Sequence, residues 1–162
     1  MPAIDTHSKV LYADTLEAAL KNLARPLVFT NGCFDILHRG HISYLETARN
    51  LGQALIVGVN SDASVKRQNK GSDRPINHIE DRLALLAALQ VVDAVIAFDE
   101  DTPLNLIQKI MPNHLVKGGD WSTDSIVGAQ DVMTNGGQVH SIAFEHQRST
   151  TALLTKIRQH TQ

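Results

Sequence analysis

The segment Thr-Asn-Gly-Cys-Phe-Asp-Ile-Leu-His-Arg-Gly-His, residues 30–41, lies between a predicted strand and a predicted helix. The strand covers residues 27–30, a short apolar and β-prone run that ends where Gly32 permits a sharp turn. From about residue 39, apolar residues recur at helical intervals as far as Leu51. The segment is therefore predicted to be the loop of a strand–loop–helix unit.

Two histidines flank a glycine where this helix is predicted to begin. The free N–H groups and the positive dipole end of a helix N-terminus favour an anion, and Gly40 lets a phosphate approach the backbone. His38 and His41 can then donate hydrogen bonds to phosphate oxygens. A zinc site would need further ligands, and this spacing alone is weak evidence for one. In this context the pattern favours a phosphate site over a structural histidine pair.

Strands and helices continue to alternate along the chain. Further strands are predicted over residues 54–59, 94–98, 114–117 and 139–144, and further helices over residues 79–89, 102–110, 128–134 and 150–160. About five strands alternating with helices predict an α/β fold, a Rossmann-like doubly wound parallel sheet. Ligands of such sheets bind beyond the C-terminal ends of the strands, so the loops there are the candidate binding loops.

The size of the chain predicts one domain over residues 1–162, with an N-terminal helical extension over about residues 1–25. Asp14 precedes a run of leucines at helical spacing, and Glu17 lies within that run. This pattern predicts a helix capped by Asp14. The polar segment 60–78 is the longest without apolar periodicity, and such a segment in a small domain is predicted to be a binding loop.

Composition excludes several classes of function. The net charge of −2 provides no global positive field for nucleic acid or an anionic membrane. No stretch has the length of a membrane helix or the apolar core of a signal peptide, so we expect a cytoplasmic protein that binds small molecules. Cys33 is the sole cysteine, and a small buried residue beside a turn is favoured over a reactive thiol.

Four segments together resemble the cytidylyltransferase-like nucleotidyltransferase superfamily. The first is the His-x-Gly-His of residues 38–41 after Thr-Asn-Gly-Cys-Phe-Asp, and the others are residues 59–66, 115–120 and 149–151. The likeness extends from about residue 27 to residue 157 and is closest to the heptose 1-phosphate adenylyltransferases, which make ADP-heptose. The segments match the adenylyltransferase half of the bifunctional heptose enzyme, so we expect its sugar kinase on a separate polypeptide.

The resemblance implies transfer of AMP from ATP to D-glycero-D-manno-heptose 1-phosphate, with release of pyrophosphate, in the synthesis of a lipopolysaccharide core precursor. It implies Mg²⁺ with ATP as co-substrate and a homodimer, and we assign no residue as a metal ligand. Two other functions stay open. One is a cytidylyltransferase acting on glycerol 3-phosphate or another small phosphate, and the other is a nucleotide-binding domain without catalysis.

The resemblance also implies roles for particular residues. The catalytic residues would be His38, His41, Lys70 and Arg82. The residues that contact the acceptor substrate would be Asp35 and Asn60. The nucleotide-binding residues would be Thr30, Asn31, Gly32, Cys33, Phe34, Gly40, Lys66, Lys117, Gly119, Asp120, Ser149, Thr150 and Thr151.

Several of these assignments have plainer alternatives. Lys66 and Lys70 belong to a cationic segment that would otherwise be a solvated surface loop, and their roles are not separated. Residues 117–121 could form a simple glycine turn, and residues 149–151 could serve only as a helix cap. Residues 145–148, Glu-His-Gln-Arg, replace the Arg-Thr-Glu-Gly of the lipid and teichoic-acid cytidylyltransferases, which agrees with the heptose branch.

Overall fold

One parallel sheet organises the computed structural model, which describes residues 3–68, 71–146 and 149–159. Its strands in the described residues are β1 (Val10–Leu11), β2 (Leu27–Gly32), β3 (Ala54–Asn60), β4 (Ala94–Phe98), β5 (His114–Gly118) and β6 (Gln138–Ile142). The helices there are α1 (Leu16–Asn22), α2 (Arg39–Arg49), α3 (Asp62–Arg67), α4 (Ile79–Ala87), α5 (Leu104–Ile110), α6 (Ala129–Thr134) and α7 (Thr150–Gln159).

The order of the strands is β1-β4-β3-β2-β5-β6, and every adjacent pair is parallel. From β2 the chain winds outward through β3 to β4, and then crosses to β5 on the other side of β2. The boundary between β2 and β5 is therefore the topological switch point, where ligands of open α/β sheets bind. The predicted α/β doubly wound fold is confirmed.

Two apolar clusters cover the two faces of this sheet. Successive side chains of a strand point to opposite faces, so β2 contributes to both clusters. Phe29 packs in one cluster with Ile107 of α5 and residues of α6. Val28 packs in the other with Tyr44 of α2 and Leu86 of α4. β3 is buried along its whole length because helices cover it on both sides.

The sheet has six strands in the described residues, one more than the approximate number expected. The additional strand is β1, which pairs with β4 and lies within the segment expected to be only a helical extension. Lys9 fastens this strand to the domain, since its Nζ donates to the carbonyls of Leu89 and Val92 at 3.1 and 2.8 Å. A strand of two residues is too short to show a sequence period.

Two local predictions are corrected by the structure. Helix α1 begins at Leu16 with Thr15 as its N-cap, so Asp14 is not the capping residue. The segment 60–78 is not entirely loop, since it contains α3, whose N-cap Ser61 accepts a hydrogen bond from the backbone of Ser64. Among the described residues, no helix is long and apolar enough to cross a membrane.

Candidate active site

The His-x-Gly-His segment lines a cavity of about 390 Å³ beyond the C-terminal end of β2. The cavity brings together residues far apart in sequence, from the loop after β2, from the segment before α4 and from the start of α7. Its lining residues are Cys33, Phe34, Asp35, His38, His41, Arg74, Phe144, Ser149, Thr150 and Thr151. A second cavity of about 410 Å³, between the N-terminal segment and α4, is almost wholly apolar and contains no predicted site residue.

The two histidines of the motif stack on each other at the start of α2. Their ring centroids are 3.9 Å apart, and the ring planes differ by 25°. His38 is the extended N-cap residue, and its carbonyl accepts from the backbone of His41 at 2.9 Å. Gly40 makes the stack possible, because a Cβ there would lie 3.0 Å from the His38 ring and 3.3 Å from the carbonyl of His146.

His41 is an electrically neutral side chain in this cavity. Burial, together with the nearby His38, lowers the pKa of His41 from 6.5 to about 4. Its Nδ1 is buried and has no hydrogen-bond partner within the described ranges. A buried polar atom of this kind marks a position where a ligand can complete the hydrogen bonding.

Asp35 fixes the segment that precedes α4 against the cavity. Its buried carboxylate accepts from the backbone N–H groups of Ile76 and Asn77 at 2.9 Å and from Nε of Arg74. Burial raises the pKa of Asp35, but these backbone hydrogen bonds and the Arg74 guanidinium outweigh it and hold the pKa below its ordinary value. Asp35 is thus an ionised anchor whose oxygens are already engaged.

Sequence reasoning missed Arg74 as a residue of this site. Its side chain is only 6% exposed and lines the cavity beside Asp35. The ion pair spans 39 positions of the sequence. No local pattern signals such a distant pairing, although a buried arginine needs a partner of this kind.

Arg82 lies behind the cavity, contrary to the prediction that it touches a phosphate. Its side chain is wholly buried, and its guanidinium donates to the carbonyls of Cys33 and Asn60 at 2.7 Å and to that of Asn77 at 3.0 Å. It also donates to the carboxylate of Asp62 at 2.7 Å. Because these donors are taken by the protein, Arg82 braces three loops rather than facing a ligand.

The hydroxyl-rich turn before α7 reaches the same cavity as the histidines. Oγ of Ser149 accepts from the backbone of Ala152 at 3.0 Å, so it caps the helix. The hydroxyl of Thr150 lies 3.5 Å from the carbonyl of Ile36, which places the start of α7 against the first loop. Ser149 therefore both caps α7 and lines the cavity.

Other predicted site residues lie around the cavity without lining it. The hydroxyl of Thr30 is buried between that of Tyr44 and the carbonyl of Val116, so it supports the strand end. The side chain of Asn60 is buried and donates to Oγ of Ser64 at 3.0 Å. Lys66 is exposed near the end of α3. Lys70 lies outside the described residues.

The predicted loop after β5 forms a structured turn at the switch point. Gly119 has a φ of +115°, and a Cβ there would lie 2.8 Å from Nε1 of Trp121. The indole N–H of Trp121 donates to the carbonyl of Gly118 at 3.1 Å. Asp120 is exposed on this turn, while Asn31 and Lys117 line a separate, smaller cavity beside Trp121.

Comparisons with known proteins agree with this geometry. The family described as cytidylyltransferase-like matches residues 29–156. The chain is 55% identical to a D-beta-D-heptose 1-phosphate adenylyltransferase of Bordetella bronchiseptica, over 94% of this chain and 95% of that protein. It is 58% identical to the bifunctional protein HldE of Haemophilus ducreyi over 85% of this chain, but it spans only 29% of that protein.

Solved structures show the same architecture. A lipopolysaccharide core biosynthesis protein from Thermoplasma volcanium superposes with a TM-score of 0.61 and 32% identity, covering 75% of this chain and 98% of that one. A pantoate-beta-alanine ligase from Francisella tularensis superposes with a TM-score of 0.58 over 87% of this chain and 68% of its own. At 14% identity, the second likeness shows the fold alone.

The buried position of Arg82 leads to a prediction about stability. We expect Arg82→Met to lower the free energy of unfolding by about 3 kcal/mol, because it leaves Asp62 and three carbonyls without their donor. Urea denaturation followed by circular dichroism measures this loss. The control is Arg67→Met, because its pairing with Asp101 is exposed and its loss is expected to change stability far less. Unchanged stability together with reduced turnover would instead place Arg82 on a phosphate.

The lowered pKa of His41 predicts a dependence of stability on pH. Between its folded value of about 4 and its ordinary value of 6.5, the unfolded chain binds more protons than the folded one. The contribution of neutral His41 to the free energy of unfolding is therefore complete above pH 6.5, and it is lost as the pH falls towards about 4. We expect His41→Gln to reduce the loss of unfolding free energy between about pH 7 and about pH 5 by on the order of 1 kcal/mol. The exposed His7→Gln is the control, and equal losses in both variants would contradict the assignment.

Proposed function

This chain belongs to the cytidylyltransferase-like family, and we propose that it transfers AMP from ATP to D-glycero-D-manno-heptose 1-phosphate, giving ADP-heptose and pyrophosphate. The product would serve lipopolysaccharide core synthesis. The observation that carries the proposal is the stacked histidine pair at the start of α2, facing the hydroxyl turn of α7 across one cavity. The choice of heptose is supported by the 55% identity to an enzyme named for that substrate.

The reaction needs no general base from the protein. A sugar phosphate has a second pKa near 6, so its oxygens are largely ionised at neutral pH. The contacts of Asp35 are consistent with a reaction that needs no general base. Its carboxylate is engaged with Arg74 and two backbone N–H groups rather than free to take a proton. The catalytic task is to bring two anions together in line and to neutralise the charge that develops.

The histidine pair and the start of α2 are suited to the α-phosphate. A neutral His41 can donate one hydrogen bond, and the helix N-terminus adds N–H groups and a positive dipole end. Binding of a polyphosphate favours protonation of an imidazole, so the anion itself raises the positive charge of the pair. We assign His38 and His41 to stabilising the α-phosphorus as five oxygens surround it.

The leaving pyrophosphate would lie at the start of α7. Ser149, Thr150 and Thr151 line the cavity there, and their hydroxyl and backbone N–H groups are suited to phosphate oxygens. Lys66 and Lys70 would add positive charge from the segment after β3. The nucleoside would lie against the turn of Gly119 and Asp120 at the switch point. Arg82 is a positioning residue in this scheme.

Mg²⁺ would enter with the triphosphate. This ion usually keeps several waters and is held through substrate phosphates together with few protein ligands. Within the described residues, no group of three or more His, Cys, Asp and Glu side chains is placed to hold a metal ion. The bound ion neutralises phosphate charge. We further propose that the enzyme acts in the cytoplasm and as a homodimer, as the resemblance implies.

The substrate pair is tested by incubating the purified protein with heptose 1-phosphate, Mg²⁺ and equimolar ATP and CTP. We expect ADP-heptose to be the main product by mass spectrometry, with an equal yield of pyrophosphate. Predominant CDP-heptose would overturn the choice of nucleotide. Turnover of glycerol 3-phosphate without any product from the heptose would overturn the choice of acceptor, and no pyrophosphate from any pair would favour a non-catalytic nucleotide-binding domain.

The catalytic role of the histidines is tested by single substitutions. We predict that His38→Ala and His41→Ala each lower kcat by about 100-fold or more, because each removes a preorganised donor to the charge of the transition state. The exposed His7→Ala is the matched control and should keep the wild-type rate. Near-wild-type kcat in both folded motif variants would remove the pair from catalysis.

A further inference from the structure

A second pair of histidines meets on the sheet, away from the histidine cavity. Nδ1 of His114 and Nε2 of His140 lie 3.0 Å apart, and the centroids of the two rings are 5.2 Å apart. The residues are 26 positions apart in the sequence, so no local spacing predicts that they meet. The function proposed above uses neither ring.

The register of β5 and β6 places both rings on one face of the sheet. His140 is the register partner of Val116, and His114 lies two residues before Val116. Because alternate residues of a strand share a face, both imidazoles lie on the face where Val116 packs with Tyr44. β6 is the outermost strand on this side of the sheet, and both histidines are only partly buried. An ion can therefore reach the pair from solvent.

The pair lies far from the proposed phosphate chemistry. His114 begins β5, whereas the histidine cavity opens beyond the C-terminal ends of the strands. The rise of a strand puts about 13 Å between His114 and Gly118, the last residue of β5. The His114–His140 pair is therefore a separate feature of the molecule.

The contact between the rings limits their protonation. In an N–H···N hydrogen bond one ring donates and the other accepts through a lone pair, so the two facing nitrogens are not both protonated. A neutral imidazole holds its single proton on either ring nitrogen. With the proton of His114 on Nε2 and that of His140 on Nδ1, both facing nitrogens present lone pairs.

We propose that His114 and His140 form a binding site for a divalent transition-metal ion such as Zn²⁺. The protein ligands are Nδ1 of His114 and Nε2 of His140. Among the described residues no third His, Cys, Asp or Glu side chain joins them, so water fills the remaining coordination positions. The site does not depend on the proposed transfer reaction, and its ion is distinct from the Mg²⁺ that would enter with ATP.

The distance between the facing nitrogens suits two ligands of one ion. With bonds of about 2.0–2.1 Å, two nitrogens on a tetrahedral zinc ion lie roughly 3.3–3.4 Å apart. The facing nitrogens are 3.0 Å apart, so small rotations of the side chains are enough to admit the ion. Imidazole nitrogen suits Zn²⁺, Cu²⁺ and Ni²⁺, whereas Mg²⁺ prefers oxygen ligands.

A bound ion would cross-link the edge strand β6 to β5. The same two strands continue to the turn after β5, where the backbone of Gly119 donates to the carbonyl of Ile142 at 2.8 Å. The hydroxyl of Ser141 donates to the carbonyl of Gly119 at 2.7 Å. Because the ion binds the folded arrangement of the pair, it stabilises β6 and this turn together.

The first test is zinc binding by the purified, tag-free protein in the absence of ATP, measured by titration calorimetry and by thermal unfolding. At a free Zn²⁺ concentration tenfold above Kd, we expect Tm to rise by about 3–6 °C. We expect His114→Gln and His140→Gln each to weaken zinc binding by about 100-fold or more, since losing a ligand costs more than losing a group that only orients one. Mg²⁺ should not raise Tm.

Two controls separate this pair from the other histidines. The double variant His38→Gln/His41→Gln and the exposed His7→Gln should keep the zinc affinity and the rise in Tm. Unchanged zinc affinity in both His114→Gln and His140→Gln would overturn the proposal. Loss of binding only in the His38/His41 variant would overturn it as well.

A measurement on the wild-type protein does not depend on the folding of any variant. In ¹H–¹⁵N spectra of the imidazole groups, we expect Zn²⁺ to shift the signals of His114 and His140 before those of the other histidines. Hydrogen exchange at the backbone amides of β6 should slow in the same titration. Shifts confined to His38 and His41, or unchanged exchange in β6 at saturating Zn²⁺, would contradict a site that joins β5 to β6.

Discussion

The buried guanidinium of Arg82 is the interaction on which the arrangement of the site depends. It binds the carbonyl at the end of β3, a carbonyl of the loop after β2 and one from the segment before α4. These carbonyls lie at or just beyond the ends of β2 and β3 and just before α4, and burying a carbonyl without a partner would cost about 1–3 kcal/mol. Arg82 satisfies all of them from one helix, and the carboxylate of Asp62 balances its charge. Three loops are thereby held in one geometry before a substrate arrives.

The histidine cavity shows how the same segment serves both folding and chemistry. Gly40 permits the imidazoles to stack at 3.9 Å, but that proximity disfavours two positive charges, which helps to keep His41 neutral. A neutral His41 can remain buried without a counter-ion. An arriving polyphosphate supplies the missing negative charge. The site is therefore poised to gain positive charge when its ligand binds.

The helices and strands whose apolar residues recur with a regular period were predicted from the sequence. Contacts between side chains far apart in the sequence were not. Apolar runs identified β2 to β6, and the two histidines on either side of Gly40 identified the start of α2. β1 was missed because two residues are too few to show a period, and α3 was missed because Val65 is the one large apolar side chain among its six residues. Arg82 was recognised by resemblance but given a phosphate contact, since burial of a guanidinium is invisible in a sequence. The Asp35–Arg74 pair depends on tertiary structure for the same reason.

Polar side chains gather on both faces of the sheet at the ends of β2 and β5, in two separate cavities. The groups suited to phosphate transfer lie at α2 and before α7, on the face that Val116 shares. The walls around Lys117 come from the segment after β5, residues 121–127. Substitutions in that segment change the lining of the smaller cavity, whereas the histidines are held from the other face, at the start of α2. The fold alone therefore identifies the function less well than the residues that line the cavities do.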